Sequence, residues 1–268
     1  MKDTRTRRKI KKPQVLVLCG FGINCEEETA YAFNYVGAEA TVRHINDVCA
    51  NPSLLEKVHI IAFPGGFSFG DHMGSGKAYA HIVSSGLKNE LDAFIARGGL
   101  VIGICNGFQI ISALGLVPGV LLHNTGARYL TRWVDVAFSN TSPWTMGLGT
   151  VALPIAHGEG RYMIDTKGMQ ALKKSGGIAG EYVSGEMCHE YSLPANPNGA
   201  LKNIAGVTAH GGRVFGLMPH PERALFFTQL PNWTNKKDAL KRKNKKIPTE
   251  GPGVKVFRNA VEYCKKNF

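Results

Sequence analysis

The chain has 268 residues, of which 44% are hydrophobic and 19% charged, so its length and composition are those of a globular protein with a substantial core. No apolar run approaches the roughly 20 residues that a membrane-spanning helix needs. The short apolar run after the basic N-terminus lacks a small-residue cleavage site, which argues against a secretion signal.

The net charge of +12 is concentrated in two segments. Residues 1–12 and 235–246 each carry seven basic residues and one acidic residue, and the rest of the chain is balanced. Such runs are typical of solvated segments, or of surfaces that dock an acidic partner. No aromatic residues alternate with the basic ones and no nucleic-acid-binding motif is present, so nucleic acid is the least favoured partner.

The six cysteines, at positions 19, 25, 49, 105, 188 and 264, include no CxxC pair and no Cys/His group at metal-ligand spacing. This pattern argues against structural zinc, so we expect no metal site, and against a framework of disulfides. Free cysteines suit a reducing compartment, and we therefore expect a cytoplasmic protein.

The first half of the chain alternates between strand and helix patterns. After a basic arm over residues 1–13 we predict a strand at 15–18, a helix over Glu26–Val36, and strands at 40–45 and 58–63. The strand at 58–63 is almost continuously apolar, which is typical of a strand buried on both faces. It runs into the glycine-rich sequence PGGFSFGDHMGSGK, a specialised loop.

The pattern continues with a helix over 78–97, which we predict to be in two pieces around Gly86. A strand at 100–104 follows, and residues 109–114 form the start of the next helix. Segments of β character fill 120–165, and a last strand occupies 214–218. We predict one α/β domain over 14–234, doubly wound and flavodoxin-like, with a mostly parallel central sheet and helices on both faces. Residues 235–268, a lysine-rich segment and a C-terminal helix, are expected to pack on the same domain.

Three loops follow directly after apolar predicted strands, and in a parallel sheet they would meet at one edge. In the second of them, Gly103, Cys105 and Gly107 form a G-x-C-x-G sequence, the pattern of a sharp strand–turn–helix elbow. A cysteine there lies near a helix N-terminus, which favours the reactive thiolate. The alternative is that Cys105 is a small buried core residue.

The other two loops supply candidates for a base and for oxyanion donors. His220 lies between two prolines, and Glu222 projects to the same side of an extended segment, where it could orient the imidazole. A surface ion pair is the alternative. The PGG sequence at 64–66 could turn backbone N–H groups toward an acyl oxyanion, although a lone PGG is more often a simple turn.

These three segments resemble class I (triad-type) glutamine amidotransferases, which carry a GxCxGxQ elbow, a PGG loop and a PHPE segment. Four further likenesses narrow the match to the glutaminase subunit family of phosphoribosylformylglycinamidine (FGAM) synthase: GINCEEET at 22–29, PGGFSFGD, CNGFQ and HGEGRY at 157–162. The resemblance covers roughly residues 14–230. The combination is more specific than the triad residues alone.

The resemblance implies a glutaminase in purine biosynthesis that forms a glutamyl thioester and delivers ammonia to a partner. It assigns the catalytic triad to Cys105, His220 and Glu222, the oxyanion donors to the backbone N–H groups of Gly66 and Asn106, and glutamine binding to Gly65 and Gln109. The implied partner is the large synthase subunit, with a small accessory subunit as a further possibility. That partner would use ATP and Mg²⁺, and this chain itself would need no cofactor.

Some features depart from the small stand-alone subunit. The basic N-terminal arm and the segment after about residue 230 are extra, and NPNG at 196–199 and RWVDV at 132–136 look more like the glutaminase domain of the fused, single-chain synthase. No firm role follows for His72, for Lys77 or for the segment 157–161, which could line a partner interface or form a structural turn.

Three alternative functions agree less well with the sequence. A different elbow-cysteine hydrolase would usually place its histidine directly after the cysteine, whereas Asn106 stands there. A catalytically silent regulatory subunit gains no support, since all three triad positions hold competent residues. A nucleotide-binding loop at 19–22 lacks the full GxGxxG pattern.

Overall fold

The computed structural model describes residues 10–71 and 74–268. Its strands and helices, in chain order, are β1 (Gln14–Cys19), α1 (Glu26–Tyr35), β2 (Glu39–His44), α2 (Ile45–Ala50), β3 (Ile60–Phe63), α3 (Lys77–Ala96), β4 (Leu100–Ile104), α4 (Asn106–Ala113), β5 (Val120–Leu122), β6 (Leu130–Phe138), β7 (Thr150–His157), β8 (Arg161–Met163), α5 (Thr166–Lys174), β9 (Ile178–Val183), α6 (Glu186–Tyr191), β10 (Ile204–Ala209), β11 (Val214–Leu217), α7 (Trp233–Arg242) and α8 (Val254–Asn267). A short 3-10 turn over Pro221–Arg223 follows β11.

The central sheet has nine strands in the order β2-β1-β3-β4-β11-β10-β9-β6-β7. The five strands from β2 to β11 are parallel to one another, and the strands from β11 onward pair antiparallel. The predicted α/β fold is thus confirmed, and the segments of β character at 120–165 supply two of the antiparallel strands. Strands β5 and β8 form a separate two-stranded sheet.

Helices cover both faces of the parallel half, as predicted. Leu16 and Leu18 of β1 line a small gap together with Val48 of α2, so those side chains point to the face that α2 and α3 cover. The alternate residues of β1 point to the opposite face. There α1 packs on β1 and β2, and its Phe33 meets Phe257 of α8 edge-on with ring centroids 4.9 Å apart.

Two helices differ from the sequence-based predictions, one in its continuity and the other in its first residue. Helix α3 runs unbroken through Gly86, where a Cβ would lie 2.6 Å from the Cys49 sulfur. The glycine therefore allows α2 to approach closely, and it does not break the helix. Helix α4 begins at Asn106, earlier than predicted, because the turn at Cys105 takes a single residue and the helix starts directly after it.

The C-terminal segment contains two helices of different character. Phe257 of α8 is fully buried, whereas the basic side chains of α7 are exposed or half-buried. Most of the predicted N-terminal arm lies outside the described residues. Within the described ranges, no helix is both long and apolar enough to cross a membrane.

Candidate active site

The three loops singled out in the sequence meet at one edge of the sheet. Strands β3, β4 and β11 are parallel neighbours, with β4 in the middle. The loops after their carboxyl ends carry Gly65, Cys105 and His220 respectively, so segments more than 150 positions apart in the sequence meet at one edge. The predicted convergence is confirmed, and this edge is where ligands bind in open α/β sheets.

Cys105 occupies a strained turn between β4 and α4. Its backbone has φ of 51° and ψ of −107°, an uncommon conformation for a residue with a side chain and one that recurs at functional sites. The flanking glycines make the turn possible. A Cβ on Gly103 would lie 2.5 Å from the carbonyl oxygen of Gly107, and a Cβ on Gly107 only 1.8 Å from that of Phe63. The elbow therefore places Cys105 directly before the first residue of α4, a helix whose first N–H groups have no partner within the helix.

His220 and Glu222 form a buried pair beside that thiol. Nδ1 of His220 donates to Oε1 of Glu222 at 2.5 Å, and the two residues are only 2% and 1% exposed. Burial alone would lower the pKa of His220, but the negative charge of Glu222 and the neighbouring Cys105 hold it well above its ordinary value. The opposite ring nitrogen, Nε2, is buried and makes no hydrogen bond with any described residue, so it is available to Cys105.

The two predicted oxyanion donors lie on loops that are fastened together. Gly66 has φ of +157°, and a Cβ there would lie 2.6 Å from the Cα of Ile23, so only glycine fits. Asn106 provides the first N–H of α4, and its side-chain Oδ1 accepts a hydrogen bond from the N–H of Ser68 at 3.1 Å. The PGG loop is thereby fixed against the elbow, which is the rigidity that an oxyanion site requires.

Gln109 is engaged inside the protein. Its Oε1 accepts from Nδ2 of Asn106 at 2.8 Å, and its Nε2 donates to the carbonyl oxygen of Glu159 at 2.6 Å. The carboxylate of Glu159 in turn accepts from the N–H of Ser75 at 3.3 Å. Gln109 therefore ties the elbow to the HGEG segment, and its role in binding glutamine, like that of Gly65, stays a prediction.

His157, the first residue of the HGEG segment, is a neutral buried histidine. Oδ1 of Asn124 accepts from the N–H of Gly160 at 3.1 Å and lies 3.1 Å from Nδ1 of His157, so Nδ1 carries the ring proton. Burial, together with the nearby charge of His220, lowers the pKa of His157 to about 3. Lys77 is the first residue of α3, and His72 lies outside the described residues.

The structure also places two residues at the triad that residue-by-residue reasoning missed. Cys25, 1% exposed, accepts a hydrogen bond on its sulfur from Nη2 of Arg223 at 2.9 Å. The GINCEEET motif, in which Cys25 stands, was the only sequence feature that could have indicated it. The ligand atoms of Cys25, His220 and Glu222 all lie within 4.8 Å of one another. The guanidinium on the sulfur and the existing His220–Glu222 bond make this group a poor cation site.

Comparison with known proteins gives one consistent result. Residues 12–264 match the family described as "CobB/CobQ-like glutamine amidotransferase domain". A relative from Methanococcus maripaludis, "Phosphoribosylformylglycinamidine synthase subunit PurQ", is 43% identical over 95% of this chain and 98% of its own length. The protein of the same name from Dehalococcoides mccartyi is 37% identical over 96% of this chain and 100% of its own.

Solved structures agree with the sequence comparison. A chain of "Structure of PurLQS from Thermotoga maritima" matches with a TM-score of 0.71 and 30% identity, over 94% of this chain and 99% of that one. A glutamine amidotransferase from Thermotoga maritima matches with a TM-score of 0.52 and 13% identity, over 95% and 98% of the two chains. The second match concerns the fold alone.

Proposed function

Because this chain belongs to the CobB/CobQ-like glutamine amidotransferase family, we propose that it is the glutaminase subunit of a phosphoribosylformylglycinamidine synthase. In this role it hydrolyses the side-chain amide of glutamine to glutamate. The ammonia passes to an ATP- and Mg²⁺-dependent synthase subunit, which converts formylglycinamide ribonucleotide to its amidine in purine biosynthesis. The relatives named above and the solved PurLQS assembly support this assignment.

In the proposed mechanism His220 takes the proton of the Cys105 thiol, and the thiolate attacks the side-chain carbonyl carbon of glutamine. The N–H groups of Gly66 and Asn106 stabilise the oxyanion that forms. The intermediate collapses to a thioester as His220 returns the proton to the leaving ammonia. Water, deprotonated by His220, then attacks the thioester carbonyl and releases glutamate, with the proton restored to Cys105.

The surroundings of His220 suit this proton transfer. A raised imidazole pKa favours the thiolate–imidazolium pair over the neutral pair, and the thiolate is the nucleophilic form of cysteine. Glu222 keeps the proton of the neutral imidazole on Nδ1, so that Nε2 presents a lone pair toward Cys105. The N-terminus of α4 adds positive potential beside the thiolate.

One observation carries the proposal most directly: the Cys105 elbow lies next to the buried His220–Glu222 pair, on adjacent parallel strands. A silent regulatory subunit would have no use for a strained cysteine turn beside a histidine with a raised pKa. A hydrolase of another class would not account for the PGG loop, the HGEG segment and the full-length likeness to the named relatives.

The test is glutamate release from glutamine by the purified chain, alone and then with the synthase subunit, ATP, Mg²⁺ and formylglycinamide ribonucleotide. We expect weak release alone and a sharp rise in the complex. Cys105→Ala should abolish glutamine-dependent amidine formation and spare the ammonia-dependent reaction of the partner. Cys49→Ser, which changes a half-buried thiol on α2, is the matched control. Glutamine-dependent turnover by the Cys105 variant would disprove the nucleophile assignment.

A further inference from the structure

The cysteine of the GINCEEET motif has no part in the triad mechanism, yet it lies against the triad. A Cβ built on Gly65 would be 2.7 Å from Cε1 of His220 and 3.1 Å from Sγ of Cys25. The imidazole of His220 and the thiol of Cys25 therefore both lie against Gly65. The ring nitrogen nearer to that glycine is Nδ1, which faces Glu222. Cys25 thus lies beside the imidazole of the triad histidine.

The backbone holds this second thiol firmly in place. The N–H of Cys25 donates to the carbonyl oxygen of Gly65 at 3.1 Å, and its own carbonyl oxygen accepts from the hydroxyl of Thr29 at 2.6 Å. Burial raises the pKa of the Cys25 thiol, and His220 opposes that rise only in part. Burial thus favours the thiol form of Cys25 over the thiolate. The sulfur accepts from Arg223 at 2.9 Å and lies 3.4 Å from Oδ1 of Asn24, to which its S–H can donate.

The hydrogen bond between Arg223 and Cys25 matters because the same guanidinium could otherwise pair with Glu222. Arg223 directly follows Glu222, and the second carboxylate oxygen of Glu222, Oε2, is buried with no hydrogen-bond partner in the described part of the chain. An arginine that paired with this oxygen would neutralise the carboxylate on which His220 depends. The guanidinium instead donates to the sulfur of Cys25 and lies beside Glu28, whose Oε1 is 3.6 Å from Nε of Arg223.

We infer that Cys25 is a positioning residue for glutamine hydrolysis: it supports the imidazole of His220 and holds Arg223 away from Glu222, so that the carboxylate is reserved for the histidine. This inference rests on the proposed function. The titratable or charged groups around His220 on every neighbouring element are Glu222, Arg223, Cys105, Cys25, His157 and Tyr129. Among them, Cys25 accepts the hydrogen bond of Arg223 on its sulfur and also borders the imidazole of His220.

The test compares Cys25→Ala with Cys25→Ser in the complete complex. Alanine removes the acceptor for Arg223, and we expect kcat for glutamine hydrolysis to fall about tenfold or more with little change in KM. Serine keeps an acceptor at nearly the same place, and most of the activity should return. The pH dependence of Cys105 alkylation, followed by mass spectrometry of its peptide, should shift to higher pH in the alanine variant, because a weaker base at His220 forms the thiolate less readily.

A double-mutant cycle tests the role of Arg223 directly. If Arg223 is the competitor, Cys25→Ala should have a much smaller effect on kcat in an Arg223→Met background than in the wild type. If Cys25→Ala does not fold, as judged by thermal unfolding, Cys25→Val replaces it, because valine leaves no cavity and also lacks an acceptor for Arg223. Equal effects of Cys25→Ala in both backgrounds would overturn the proposed restraint of Arg223.

The outcomes separate this inference from the proposed function. If Cys105→Ala still hydrolyses glutamine, the nucleophile assignment fails. If that variant is inactive while Cys25→Ala matches the Cys49→Ser control in kcat and in its alkylation profile, only the positioning role is overturned. The positioning role is likewise overturned if serine at position 25 is as damaging as alanine.

Discussion

Replacing Glu222 by glutamine should disable the triad without changing its shape. The carboxylate and the imidazolium are in contact, with Nδ1 and Oε1 2.5 Å apart, so their charge centres lie about 4 Å apart. At the effective dielectric constant of about 20 that describes protein sites, two such charges attract by about 4 kcal/mol. Glutamine removes this attraction. Its amide can also donate to Nδ1, which favours the tautomer whose proton on Nε2 faces Cys105 and blocks proton transfer.

About 4 kcal/mol corresponds to a loss of roughly 10³-fold in kcat. The assay is steady-state glutamate release by Glu222→Gln in the complete complex, together with the pH profile of Cys105 alkylation. The sign of the profile shift follows from His220: without the carboxylate the pKa of the imidazole falls, so the thiolate forms only at higher pH. Glu262→Gln, at an exposed ion pair on α8, is the isosteric control and should behave as the wild type. A kcat for Glu222→Gln within threefold of the control would refute the assigned role of the carboxylate.

Three further predictions concern stability and the basic arm. Gly107→Ala places a Cβ 1.8 Å from the carbonyl oxygen of Phe63, so the free energy of unfolding measured by denaturant titration should fall by at least about 3 kcal/mol. Gly126→Ala, with nothing within 4 Å, should change the free energy of unfolding by no more than about 1 kcal/mol, and equal effects of the two substitutions would contradict the close approach at Gly107. His157 has its pKa lowered to about 3 in the fold against about 6.5 in the unfolded chain, so the unfolded state binds a proton first and stability should fall as pH drops below about 6.5. In His157→Gln that part of the pH dependence should disappear from the free energy of unfolding, and an unchanged slope would argue against a buried neutral histidine. Deletion of residues 1–12 should leave glutamine hydrolysis by the complex within about twofold, and a loss above about tenfold, near 1.4 kcal/mol, would place the arm at the site or at its partner interface.

The chemistry of the site could be predicted from the sequence because each part has a local pattern. The elbow needs glycines at 103 and 107 around the cysteine, since backbone atoms occupy the space where side chains would be. Parallel neighbouring strands bring their carboxyl ends to one edge, so motifs that follow apolar strands could be expected to meet. The apolar runs at β1 and β3 predict buried strands, and the run at β3 has no polar face.

The sequence by itself therefore determined the α/β class, the strands that carry the loops, and the residue types of the triad. Only the tertiary structure decided what depends on contacts between distant segments. The antiparallel half of the sheet is one such feature, because strand order follows from the packing of whole elements. The unbroken helix at Gly86 is another, since the thiol of Cys49 explains that glycine. Cys25 is the clearest case: its partner Arg223 lies 198 positions away, and no local pattern encodes a contact across that distance.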